Sequence, residues 1–85
     1  MILLPVQCRM ARAALGWCVR ELAAAAKVSI DTVARFERGD ELKERTIEAL
    51  QLTLEAGGIE FIDENGGGPG VRLKRSKRER GKSRV

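Results

Sequence analysis

Leu15–Gly39, LGWCVRELAAAAKVSIDTVARFERG, decides the fold. Leu22, Ala23 and Ala26 fall on one face of a short helix, the pattern breaks at Lys27-Val28, and Val33 and Phe36 fall on the inner face of a second helix. Ser29 is a good N-cap for that second helix and Gly39 a good stop, so both of its ends are punctuated. The four alanines 23–26 have high helix propensity and let a neighbouring helix approach closely. Two short helices joined by a tight turn form a helix-turn-helix, a layout whose second helix can enter the major groove of DNA.

Working outward, Pro5 suits a first helical turn, and Cys8, Ala11 and Leu15 recur at three- and four-residue steps before Gly16. This predicts a helix from just after Pro5 to about Leu15, with Arg9 and Ala13 facing outward. The first helix of the deciding stretch then runs from Cys18 or Val19 to Ala26, and the second from Ile30 to Arg38. Asp40 to Arg45 form a charged connector. Thr46 is expected to cap a further helix, striped by Ile47, Leu50 and Leu54 and ended at Gly57-Gly58.

Beyond Gly58 the period changes from helical to alternating. Ile59 and Phe61 share one face with Glu60 on the other, and after the turn-rich DENGGGPG, Val71 and Leu73 alternate with Arg72 and Lys74. An antiparallel pairing sets Glu60 across from Arg72 or Lys74. A lone hairpin is marginal, so it must dock on the helices or pair with another subunit. Residues 75–85 have no apolar periodicity and are expected to be disordered when free. The fold read from the chain is therefore mainly α. Residues 1–58 form a small four- or five-helix bundle containing the helix-turn-helix, residues 59–74 a C-terminal β-hairpin packed on the bundle or in a dimer, and residues 75–85 a basic disordered tail.

Composition narrows the chemistry. The net charge of +4 conceals an asymmetry: residues 1–70 carry eight basic and eleven acidic residues, net −3, while residues 71–85 carry eight basic residues and the single acid Glu79, net +7. With Trp17, Phe36 and Phe61 as the three aromatics, a single-strand stacking platform is not expected. Histidine is absent, and Cys8 and Cys18 lack CxxC spacing, so no metal site, cofactor site or Cys-His pair is expected. Both thiols read as small buried apolar side chains in a reducing compartment. No GK[ST] follows the NGGGPG loop and there is no GxSxG elbow, so neither a nucleotide site nor an enzyme is expected. The apolar MILLP start is about one helical turn long, too short for a signal peptide or membrane span, which makes the expected setting cytoplasmic and away from membranes.

At the same stretch the chain resembles the Cro/repressor-like helix-turn-helix family, the xenobiotic-response-element type, over roughly residues 7–56. The matching points are Arg12 with Leu15-Gly16, Leu22-Ala23, Val28-Ser29, and Glu37-Arg38-Gly39. The resemblance implies a structural ion pair between Arg12 and Glu37, which ties the first helix to the end of the third and fixes the angle at which the third is presented. It also implies a DNA-facing set of Ile30, Asp31, Thr32 and Arg35, beside which Ser29 and Arg45 are further candidate DNA contacts. In that setting Arg35 would donate to a guanine edge, Asp31 would accept from cytosine or act as a helix N-terminal acid, Ile30 would touch a thymine methyl, and Ser29 and Thr32 would hold phosphates. Two positions depart from the family. Lys27 stands where the turn usually has glycine, and Val19 where many relatives have a polar residue that contacts phosphate.

Two functions follow as expectations. The first is a sequence-specific, homodimeric transcriptional regulator on double-stranded DNA, with the third helix in the major groove, Leu52 and the hairpin as candidate dimer contacts, and the tail as a phosphate-neutralising arm. The alternative is a protein-binding module, an antiactivator or antitoxin that sequesters a regulator or toxin, suggested by apolar Ile30, Val19 and the acidic body.

Overall fold

Pro5 opens the first helix of the computed structural model, which describes residues 2–63 and 66–74. In this helix, α1 (Pro5–Leu15), the missing proline N–H falls where no intrahelical bond is made. Leu4 N–H donates to Gln7 Oε1 at 3.1 Å, which satisfies one free donor of the first turn. Gly16 ends the helix, and Trp17 N–H closes back on the Arg12 carbonyl at 2.9 Å.

α2 (Val19–Ala26) begins with Cys18 N–H donating to Glu21 Oε1 at 2.8 Å. It ends on Lys27, whose φ of 61° and ψ of 43° are left-handed, and Val28 N–H returns to the Ala23 carbonyl at 3.0 Å. Lysine at a left-handed position carries a Cβ clash worth about 1–2 kcal/mol that glycine lacks. Lys27 is exposed and its removal empties no core site. Lys27→Gly is therefore expected to gain about 0.5–1 kcal/mol after glycine's greater unfolded-state entropy is subtracted. That would raise the thermal midpoint by several degrees; an unchanged or lower midpoint would show that the turn is not strained.

α3 (Ile30–Glu37) is capped by Ser29, whose Oγ accepts from Thr32 N–H at 3.0 Å. Gly39 then takes φ 103°, a conformation glycine adopts without strain, and turns the chain so that Asp40 N–H donates to the Arg35 carbonyl at 3.0 Å. The sequence predicts a start near Thr46 for the next helix, but α4 (Glu44–Ala56) starts earlier. No side chain caps its first turn, so the boundary has no signature to read, and Thr46 lies inside that turn with its N–H on the Lys43 carbonyl at 2.9 Å. The described residues thus form four helices, the lower of the two numbers expected.

The core lies where the four helices meet. Leu3, Cys8, Ala11, Leu22, Ala23, Val33, Phe36, Leu50, Leu54 and Ile59 are buried, and Val19 packs against them. Alternation beyond Gly58 produces β1 (Ile59–Ile62) and β2 (Gly70–Leu73), paired antiparallel with Ile59 opposite Leu73 and Glu60 opposite Arg72. Arg72 Nε lies 3.2 Å from Glu60 Oε1 on the solvent face, while Phe61 and Val71 pack on the core. The hairpin docks on α1 and α4. Gln7 fastens it: this buried side chain donates from Nε2 to the Ile62 and Gly70 carbonyls, both at 3.2 Å. Both acceptors of the Gln7 Nε2 group thus lie across the helix–hairpin junction, while its Oε1 is taken by Leu4 N–H. The expectation of a disordered basic segment at residues 75–85 lies outside the described residues.

Candidate nucleic-acid interface

The presentation of α3 is governed by its last residue. The Glu37 carboxylate is buried, and Arg12 on α1 grips it in a side-on fork, with Nε to Oε2 at 2.7 Å and Nη2 to Oε1 at 2.8 Å. Arg12 also donates from Nη1 to the Trp17 carbonyl at 3.1 Å, and Arg9 donates to the Glu37 carbonyl. Cys8 adds an S–H donor to Glu37 Oε2 at 3.2 Å. Four contacts from α1 therefore converge on one residue at the end of α3 and fix the crossing of the two helices. The Arg12 guanidinium is held charged beyond its usual range, chiefly by the hydrogen bond to Glu37. This is the ion pair that the resemblance implied.

The two cysteines differ, which corrects the expectation that both are buried. Cys8 is buried and Cys18 is exposed at the start of α2. Burial, reinforced by the hydrogen bond to Glu37 and its charge, pushes the Cys8 thiol far above the ordinary thiol value of 9.0. Cys8 therefore remains a neutral thiol throughout the neutral range, and thiolate is the reactive form. A thiol reagent at pH 8 is expected to titrate Cys18 alone in the native protein and both cysteines after denaturation. Two fast-reacting thiols in the native protein would contradict this placement.

Of the residues expected to face DNA, Ser29, Ile30, Asp31, Thr32 and Arg35 lie together at the start and along the outer side of α3. Ile30 is 48% exposed, unusual for an isoleucine beside a well-formed core. Asp31 is exposed, Thr32 and Arg35 are partly so, and the Ser29 and Thr32 hydroxyls bond each other at 2.8 Å. Arg45 stands apart, exposed in the first turn of α4. Val19, one of the two positions that depart from the resembled pattern, is half-buried against the core.

Reading the sequence missed the surroundings of Arg35. Asp31 Oδ2 lies 3.6 Å from its Nη1 and Asp40 Oδ2 lies 3.7 Å from its Nε. Asp40 is also 3.3 Å from Arg38 Nη2. The Asp31–Arg35 spacing of one helical turn was visible in the chain, whereas Asp40 arrives only through the reversal at Gly39. Among the described residues no group of three or more Cys, Asp or Glu is placed to hold a metal ion, and no helix is long and apolar enough to cross a membrane. No protein-family model matches the chain, and no curated protein matches it.

Proposed function

We propose that the protein is a non-enzymatic, cytoplasmic, sequence-specific transcriptional regulator of the Cro/repressor-like helix-turn-helix kind, which binds double-stranded DNA as a homodimer with α3 in the major groove. The observation that carries this reading is the exposed outer side of α3, which presents Ile30, Asp31 and Arg35 on a helix clamped at its far end by Arg12 and Glu37. With its side chains a helix such as α3 is about 10–12 Å across, which fits a groove about 12 Å wide. Its free N-terminal N–H groups and the Ser29 and Thr32 hydroxyls suit phosphate, and Arg35 suits the paired acceptors of guanine. One such helix reads few base pairs, which favours two-fold pairing. Leu52, 64% exposed on α4 beside Trp17, Ala25 and Ala56, offers a second copy an apolar face.

Selection from a randomised duplex library tests this. Wild type should enrich a two-fold-related site, and Arg35→Ala should lose preference at one position per half-site, by about tenfold or more, while keeping the fold. A library that emerges unenriched from the wild-type protein would refute the reading.

The exposure of Ile30 favours a second reading, in which the same face binds an apolar pocket of a regulator or toxin. Ile30→Asp would then abolish a co-purifying complex. A complex that survives the substitution would rule out this face.

A further inference from the structure

Arg35 is flanked on two sides by carboxylates held on rigid backbone. Asp31 is one helical turn before it in α3, and Asp40 is fixed by its N–H bond to the Arg35 carbonyl and by its ion pair with Arg38. The closest approaches are to Nη1 from Asp31 and to Nε from Asp40, neither of them to Nη2. At 3.6 and 3.7 Å both contacts are longer than a hydrogen bond, so neither carboxylate takes up a guanidinium donor. The end-on pair, Nη1 and Nη2, keeps its N–H groups to donate, with Asp31 standing beside Nη1.

Resting on the DNA-binding reading above, we propose that Asp31 and Asp40 are specificity-determining positioning residues that aim the end-on edge of Arg35 at a guanine and suppress its attraction to phosphate. Guanine presents two acceptors, O6 and N7, spaced for two parallel N–H donors, whereas adenine offers one acceptor beside a donor. A free arginine on a surface helix is drawn to any phosphate. With two anions beside it, the same arginine carries little net field outward, and its gain comes from a partner that accepts two aimed hydrogen bonds. Asp31 in this arrangement need not touch a base. Its effect passes through Arg35.

The two effects separate in experiment, because removing the carboxylates should raise affinity for arbitrary DNA while lowering selectivity. The full-length chain, wild type and Asp31→Asn/Asp40→Asn, would be taken through selection on a duplex library randomised over about two helical turns, then titrated on the selected duplex and on its single guanine-to-adenine variant. Neither side chain is buried and asparagine is isosteric, so the fold should persist, and thermal melts verify it. The double variant should bind unselected duplex several-fold more tightly and lose about tenfold of the guanine preference; Asp31→Glu, which keeps the charge within reach, should retain most of it. A uniform rise in affinity with the guanine preference intact would overturn the inference alone, by showing simple repulsion of DNA. Failure of the wild type to enrich any sequence would overturn the DNA-binding reading and the inference with it.

Discussion

Arg12→Ala should destabilise the protein by about 3–4 kcal/mol, the range seen when one partner of a buried ion pair is removed. Glu37 is buried with its carboxylate bonded at both oxygens, so loss of the arginine leaves an anion out of water with the Cys8 S–H as its remaining side-chain donor. The whole stability of a chain this size is about 5–10 kcal/mol. The thermal midpoint should therefore fall by roughly 15–25 °C in a domain of this length. Exchanging both partners for apolar residues, Arg12→Met with Glu37→Met, should cost less than the single change, because the orphaned charge and not the lost attraction dominates. A loss under about 1 kcal/mol for Arg12→Ala, the value of a surface pair, would show that solvent reaches Glu37 freely.

The second large effect concerns binding. Deleting residues 75–85 removes six basic residues and one acid, which leaves residues 1–74 with a net charge of −1. If each removed cation neutralises one phosphate, the slope of log K against log salt should shrink by up to about 5 per chain. Affinity for any duplex near physiological salt should fall by at least about a hundredfold, since the counterion-release contribution is largely confined to this segment. The order of preference among sequences should be unchanged, because phosphate contacts carry no base identity. An unchanged salt slope would mean that the body alone supplies the phosphate contacts.

Much of the architecture could be read along the chain because its signals are local. Pro5, Gly16, Ser29 and Gly39 act within one turn of themselves, and the alternation of Ile59, Phe61, Val71 and Leu73 against Glu60 and Arg72 marks the hairpin and its core-facing side. Where local chemistry is silent the reading drifted. α4 begins at Glu44 without a side-chain cap, and Cys18 is exposed because it stands at the start of α2. The remaining features depend on residues far apart in sequence. Gln7 meets carbonyls 55 and 63 residues away. Asp40 reaches Arg35 only because Gly39 reverses the chain, and Arg12 with Glu37 was suggested by family resemblance rather than by spacing. The exposed residues of α3, Asp31 among them, were legible as a set, but the approach of Asp40 to Arg35 was not.

The central claim, that α3 reads duplex DNA, is tested most directly by an electrophoretic shift of the full-length protein. The probe is the duplex upstream of its own gene, run at about 50 mM and about 200 mM salt against unlabelled specific and scrambled competitors. The account predicts a discrete shifted band at low salt that weakens steeply at the higher concentration and yields to specific competitor well before scrambled. No shift at low salt, or equal displacement by both competitors for wild type and Arg35→Ala alike, would contradict it.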